Sequence, residues 1–376
     1  MNFDFSEEAL AVGDEAKRIL ARHDSLGGAR RVLDGQSLYD ESLWRLVVEL
    51  GWPAASIPED CGGSGLSDEV ICMLAYELGR ANAAIPFSSS TYFATGAILA
   101  YGSPEQKQRL LPLLATGEAI GTFSLAEGFD ATPTGPCACE VVAGRLSGVK
   151  WPVPDGACAN FVVVAARDGV VKDTTSLYIV QLDLPEVERE CLTTLDPTRN
   201  YARIRFNNAH AERLGSVAIE RRDLHNLLAR ASVPLAFEML GGAQACLDAA
   251  VEFAKQRYAF GRPIGSFQAI KHKLADMYIA VELARANAYF AAWALTGDST
   301  KMPLAAAIAQ VSASSAFDLC ARENIQTHGG FGVTWEASCH LYLRRSKALS
   351  ALAGASSYWK EEIVSELVKQ PDLITG

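Results

Sequence analysis

Arg257-Tyr-Ala-Phe-Gly-Arg-Pro-Ile-Gly-Ser-Phe-Gln268 joins two long helical stretches, and the stretch after it decides the fold. From Ser266 the chain reaches Gly297 with no internal proline or glycine. A helix of about 30 residues is roughly 45 Å long, and helices of that length pack side by side in a bundle. Upstream, the chain reads as helical from Ile219 onward. Downstream, further helices are expected over 303–327, 335–350 and 355–369.

Before Ile219 the pattern changes. From Gly121 to about Leu214 the segments are short and rich in β-branched residues and turn formers. Phe161 to Ala166 (FVVVAA) reads as a strand, Asp168-Gly169 as a tight hairpin turn and Val170-Val171 as the return. Leu177 to Leu182 and Ala202 to Phe206 read as further strands. The N-terminal third is helical again. Ser6 caps a segment whose first turn carries Glu7 and Glu8, suited to the positive end of a helix. Asp40 opens a segment with Leu43, Leu46, Val47 and Leu50 at helical spacing, closed by Gly51. Ser103-Pro104-Glu105-Gln106 combines a serine cap, proline at the first helical position and glutamine three residues on, a capping box; its helix runs to Gly117. The expected division is 1–120 helical, 121–220 β and 221–376 a helical bundle.

Composition fits three such domains. Of 376 residues 49% are hydrophobic and 21% charged, enough apolar surface for large cores. The net charge of −10 argues against nucleic acid or an anionic membrane as the main partner, since both need a basic face. The first ten residues carry three acids and no base, the reverse of a secretory leader, and no uninterrupted apolar run approaches the roughly 18 residues that span a bilayer. A cytoplasmic location is the expectation. Nine cysteines are scattered, with no C-x-x-C, and read as reduced thiols. The six histidines, at 23, 210, 225, 272, 328 and 340, are dispersed, and no metal site is expected. There is no G-x-G-x-x-G after a strand, no phosphate-binding loop of the G-x-x-x-x-G-K-[ST] kind and no G-x-S-x-G elbow.

Three glycine-rich segments with little periodicity remain: Ile57 to Leu66 (IPEDCGGSGL), Arg257 to Gln268, and Gln326-Thr-His-Gly-Gly-Phe-Gly332. Glycines there let backbone approach a ligand closely. In this order and at these separations the chain resembles the acyl-CoA dehydrogenase family over nearly its whole length. The likeness includes Gly51-Trp52, Pro58-Glu59, Leu111-Pro112 with Gly117, Phe123-Ser-Leu-Ala-Glu127, R-x-x-F-G-x-x-x-x-x-F-Q from Arg257, Leu274-Ala-Asp-Met277 and the Q-x-x-G-G-x-G segment. The resemblance implies an α+β, mainly α, multidomain fold: an N-terminal α domain, a middle β-barrel-like domain and a C-terminal four-helix bundle. It implies FAD as cofactor and α,β-dehydrogenation of an acyl-CoA thioester, a glutamate removing the α-proton while FAD takes the β-hydrogen as hydride. It also implies that each FAD lies between two subunits.

By this resemblance, the half donated to a neighbour's flavin is intact. Arg257 matches the arginine that meets the pyrophosphate, Phe260 the aromatic near the adenine, and Gln268, Gln326 and the Gly329-Gly330 backbone the remaining contacts. Ala259 departs from the family, which has a polar residue there. The chain's own flavin half, around Phe123, Leu125 and Ala126, is eroded. The family's T-E-P-x-A-G-S-D is here Ala126-Glu127-Gly128-Phe129-Asp130-Ala131, without the threonine and the serine. The family's K-x-W-I-T-N-G is here Lys150-Trp151-Pro152-Val153-Pro154-Asp155-Gly156. The ring-covering tryptophan falls on Pro152, and the threonine near flavin N5 falls on Pro154, which has neither hydroxyl nor N–H. Trp151, one place away, compensates if the register slips.

The base is missing from both family positions. Counted from Arg344 in R-D-x(7)-E-G-T, the aspartate falls on Arg345 and the glutamate on Ala353. The second position, 26 residues before Arg257, is Ala231. Glu238 and Glu336, the latter in Thr334-Trp335-Glu336, are the substitute candidates. The first expectation is therefore a subunit of a heteromeric enzyme of the steroid or bile-acid side-chain branch. Such a chain completes a second subunit's FAD site within a dimer or tetramer, with an external acceptor such as an electron-transfer flavoprotein. A self-sufficient homotetramer with a displaced base, and a non-catalytic scaffold or nucleic-acid-binding relative, are the alternatives.

Overall fold

A computed structural model describes residues 5–128, 132–169, 175–216, 219–297 and 300–369. They form two compact units. One takes Met1–Ala29, Asp68–Ala83 and Ser232–Gly376; the other takes Arg30–Ser67 and Ala84–Ala231.

The first unit is helical: α1 (Glu7–Arg22), the N-terminal turn of α2 (Ser25–Leu33), α4 (Asp68–Arg80) and most of α7 (Arg221–Gln256), followed by α8 (Gln268–Gly297), α9 (Met302–His328), α10 (Cys339–Leu352) and α11 (Ser356–Lys369). Helix α3 (Glu41–Glu49) belongs to the second unit. Ser6 caps α1 as expected, its hydroxyl accepting from Ala9 N–H. Helix α9 packs against α8, α10 and α11. The buried positions of α8 and α9 are mostly alanines, among them Ala284, Ala288, Ala291, Ala305, Ala309 and Ala313, so the helix axes approach closely and interlock without large side chains. By length and composition α9 would also cross a bilayer, but here its apolar face is core. The approach of α4 to α7 is closer still. A Cβ on Gly79 would lie 1.9 Å from the Glu238 carbonyl oxygen, and one on Gly241 1.9 Å from that of Tyr76. Backbone meets backbone at this crossing. Helix α10 starts at Cys339 rather than near 335, because residues 334–338 form bends before it.

The second unit holds α5 (Gly96–Tyr101), α6 (Pro104–Ala115) and a curled eight-stranded sheet. The strands are β1 (Gly121–Ser124), β2 (Glu140–Val142), β3 (Arg145–Pro154), β4 (Phe161–Asp168), β5 (Thr175–Gln181), β6 (Val187–Leu192), β7 (Tyr201–His210) and β8 (Glu212–Arg213), in the order β6-β7-β3-β2-β4-β5-β8 with β1 also on β4. The capping box of α6 forms as expected: Ser103 Oγ accepts from Gln106 N–H while the Gln106 amide oxygen accepts from Ser103 N–H. Asp40 caps α3. Phe161 to Ala166 is buried throughout, as a continuous apolar strand should be. The hairpin after it differs from the expected tight turn. β4 runs on through Asp168 and pairs with Thr175–Gln181, Arg167 opposite Thr175; Val170 and Val171 lie outside the described residues. A buried π-helix over Ser88–Thr95, unannounced by any periodicity, packs on β1.

β1 and β2 both pair in parallel with β4, β1 with its first half and β2 with its second. After β1 the described chain stays tied to β3 through a parallel bridge between Glu127 and Trp151, and the chain rejoins β4 at β2. The structural consequence is a pinned loop, which is where the family motif places the flavin contacts.

All nine cysteines are unpaired; Cys191 alone is exposed, Cys137 and Cys158 are half-buried, and the rest are buried. Burial pushes the Cys139, Cys158 and Cys320 thiols up to about 12, so they stay protonated and unreactive.

Candidate functional site

Helix α7 ends at Gln256, and Arg257 to Gln268 folds as a two-residue β-hairpin, β9 (Tyr258–Ala259) against β10 (Arg262–Pro263). Its corner residues Phe260 and Gly261 both have positive φ, 52° and 78°. That is the type I′ turn, whose twist matches paired strands and which favours Asn-Gly. Glycine suits its corner; phenylalanine does not, since a left-handed backbone costs a non-glycine residue about 1–2 kcal/mol. Phe260 is also 95% exposed. A strained backbone and an apolar ring in water are two penalties at one residue, the mark of a binding position.

The hairpin is ordered by its neighbours. Arg257 N–H donates to the Phe253 carbonyl, and the Arg257 carbonyl accepts from Ile264 N–H. The Phe253 ring stacks on His328 at 4.1 Å. His328 closes α9, its Nδ1 2.9 Å from the Asn324 carbonyl oxygen. Gly329 follows with φ 61° and ψ −141°, a conformation open only to glycine, and a Cβ at Gly329 or Gly330 would touch nothing within 4 Å. The Phe253–His328 stack thus couples the base of the Arg257–Gln268 segment to the segment holding Gln326, Gly329 and Gly330. Arg257, Gln268 and Gln326 are exposed. Arg257 and Arg262 have no carboxylate partner among the described residues.

In the second unit, Glu127 pins the loop after β1. Its carboxylate accepts from Ala138 N–H at 2.6 Å and Cys139 N–H at 3.0 Å, and pairs with Lys150 Nζ at 2.7 Å. Lys150 is fully buried and also donates to the Leu125 carbonyl at 3.0 Å. Burial raises the Glu127 carboxyl, but the Lys150 ammonium and the two N–H donors outweigh it and hold the carboxyl below its usual range. Trp151 N–H donates to the Ala126 carbonyl at 3.1 Å. So Leu125 and Ala126 are held by their carbonyls. Phe123 is buried and its ring stacks on Phe93 of the π-helix. Phe129, Asp130 and Ala131 lie outside the described residues.

β3 carries a bulge where the family motif changes. Lys150 pairs with Ile204 and Val153 with Ala202, so Trp151 and Pro152 together oppose Arg203. Proline offers no N–H to the ladder. The Arg203 guanidinium covers the Trp151 ring at 4.7 Å, and the ring edge lies 4.0 Å from where a Gly128 Cβ would stand. Pro154 contributes its carbonyl to Thr122 Oγ1 and has no donor to offer. As a flavin pocket this half offers no side-chain donor at the two motif positions, whereas the hairpin half carries two guanidinium groups without a carboxylate partner among the described residues, an exposed ring and open glycine backbone.

The base positions are inert: Ala231 is buried on α7, and Ala353 is buried at the C-cap of α10. Glu238 is 4% exposed and lies 4.0 Å from Arg345 of α10, itself 2% exposed, at the place where the family motif has aspartate. Arg345 also donates to the Ala83 carbonyl at 2.7 Å. Glu238 is therefore an ion-pair partner within a helical core. Glu336 is exposed on the bends before α10. Among the described residues no group of three or more His, Cys, Asp or Glu is arranged to hold a metal. Arg262, the Phe253–His328 stack, the Lys150–Glu127 latch and the Arg345–Glu238 pair are specified by none of the sequence motifs. Only Arg262 was visible locally, two residues after the motif phenylalanine.

Comparison with known proteins identifies the family and the fold. Residues 6–118 match the acyl-CoA dehydrogenase N-terminal domain and residues 221–368 the acyl-CoA dehydrogenase C-terminal domain. Acyl-CoA dehydrogenase IpdE2 of Mycobacterium tuberculosis is 33% identical over 97% of this chain and 99% of its own length. Among solved structures, a variant of the Tcur3481-Tcur3483 steroid ACAD superposes with a TM-score of 0.88 at 29% identity, over 97% of this chain and 99% of that one. The ChsE4-ChsE5 complex from Mycobacterium tuberculosis gives 0.89 at 26%, over 99% and 100%. The chain belongs to the acyl-CoA dehydrogenase family, FAD-binding oxidoreductases of acyl-CoA thioesters, and has that family's fold.

Proposed function

We propose that this chain is one subunit of a two-component acyl-CoA dehydrogenase, completing the FAD site of a second, related subunit that supplies the catalytic glutamate. The observation that carries the reading is an asymmetry within one molecule. The hairpin half keeps its cation, its exposed ring and its open backbone, while both base positions are alanine and the flavin-facing motif positions are prolines. Bound FAD supplies hydride acceptance at the substrate β-carbon. This chain's part is to bind and orient: Arg257 offers a fixed fork of N–H donors to phosphate, Phe260 a ring face for the adenine, and Gln268, Gln326 and Gly329-Gly330 the surrounding polar contacts. The substrate is a bulky, steroid-like acyl-CoA, which the 29% identity to a steroid ACAD supports; the two-protein ChsE4-ChsE5 complex supports the two-component assembly. An external acceptor such as an electron-transfer flavoprotein, a cytoplasmic location, and the division at about 120 and 220 belong to the same reading.

The test is purification of the chain alone and with its partner subunit. The paired preparation should show the flavin spectrum and acyl-CoA turnover, and the chain alone should show neither. Near-stoichiometric FAD with turnover in the chain alone would overturn the reading. Glu238→Gln or Glu336→Gln abolishing that activity would then favour a homotetramer with a displaced base.

A further inference from the structure

Arg262 lies on the hairpin with no role in the family motif. The strand register places it directly opposite Ala259, where the family's polar residue is missing. Its guanidinium carbon sits 4.1 Å over the Phe267 ring. Phe267 in turn meets the exposed Phe260 ring edge-on, at 6.2 Å and 85°. Stacking fixes the guanidinium plane, so less freedom is lost when its N–H edge binds something. The side chain is exposed, and no carboxylate among the described residues neutralises it. An arginine of this kind, preorganised and next to an exposed aromatic ring, suits the phosphates of a nucleotide whose planar base stacks on that ring.

We propose that Arg262 is a further flavin-binding residue: its guanidinium, braced on Phe267, binds the pyrophosphate of the FAD held by the partner subunit, from the side that Ala259 leaves without a donor. This rests on the reading that the hairpin is lent to a neighbour's flavin. It adds a second cation beside Arg257 and accounts for a departure from the family pattern by a charge on the facing strand. The chemistry recognised is an adenosine pyrophosphate, which FAD and coenzyme A both carry.

The test uses the assembly isolated with its partner subunit, stripped of flavin and titrated separately with FAD, riboflavin and coenzyme A by fluorescence and calorimetry. Arg262→Gln should weaken FAD binding roughly 10- to 100-fold, the scale of a lost charge-assisted hydrogen bond. It should leave riboflavin, which lacks the pyrophosphate, and coenzyme A unchanged. Arg262→Lys should recover part of the loss, keeping the charge without the planar fork. If Arg257→Gln weakens FAD binding and Arg262→Gln does not, the role of Arg262 is overturned while the shared-site reading stands. Weakened coenzyme A binding with FAD unchanged overturns the assignment to the flavin. If Arg257→Gln also leaves FAD binding unchanged, the shared-site reading falls and this inference with it.

Discussion

Arg345 and Glu238 face each other at 4.0 Å inside the helical core, with the arginine also donating to the Ala83 carbonyl. A family position for an acid is thus a buried base, and the nearest spare acid is engaged with it. Breaking a buried ion pair costs about 3–5 kcal/mol, and removing the arginine also removes the donor to the Ala83 carbonyl. Arg345→Ala should destabilise the chain on that scale in chemical denaturation. Glu238→Gln should cost less, because the amide still accepts a hydrogen bond, and it should leave turnover by the assembled enzyme unchanged. Loss of turnover without loss of stability would return Glu238 to the list of bases.

Glu127 makes the sheet unit acid-sensitive. Its carboxyl lies below the ordinary value of 4.5 in the folded chain, so the folded form binds fewer protons than the unfolded one. Its contribution is complete above that value and is lost as the pH falls through the lower, folded one. Stability measured between pH 6 and pH 3, roughly, should therefore fall, with part of the slope removed in Glu127→Gln. That variant should also be destabilised at neutral pH, because the buried Lys150 ammonium loses its counter-charge and keeps the neutral Leu125 carbonyl. An unchanged slope would show that another carboxylate governs the acid limb.

Phe260→Asn creates the Asn-Gly pair that type I′ turns favour. Relief of the left-handed phenylalanine should raise stability by about 1 kcal/mol. The same variant should lose FAD retention in the assembly, since the exposed ring is gone. Stability and flavin binding should thus move in opposite directions; a fall in both would mean that the ring serves the fold.

Gly241→Ala should be severely destabilising despite the better helix propensity of alanine. The new methyl would stand 1.9 Å from the Tyr76 carbonyl oxygen, and backbone cannot step aside as a side chain can. Overpacking of this kind costs about 1–3 kcal/mol or more. A drop in melting temperature of at least several degrees is expected, and a neutral outcome would mean that α4 and α7 separate readily.

What the sequence shows plainly is local. Ser6, Asp40 and the Ser103–Gln106 box act within one turn, so their reading needs no tertiary information, and each caps the helix expected of it. The continuous apolar strand at Phe161 and the uninterrupted helix to Gly297 are legible for the same reason. The Asp168-Gly169 turn failed because a turn signal says nothing about where pairing resumes, which here is Thr175. Lys150–Glu127 and Arg345–Glu238 join residues 23 and 107 positions apart, and no pattern in sequence identifies such partners. The prolines at 152 and 154 were visible as lost donors, but their bulge depends on the Arg203 strand across the sheet.

The strained turn at Phe260 also bears on how this chain can change over time. Backbone strain and exposure both favour another residue there, and within the molecule only the edge-on contact with Phe267 among the described ring contacts opposes them. If the ring serves a docked subunit, as proposed, a chain freed of that subunit should accept asparagine or glycine at residue 260, and the fold would gain by the change.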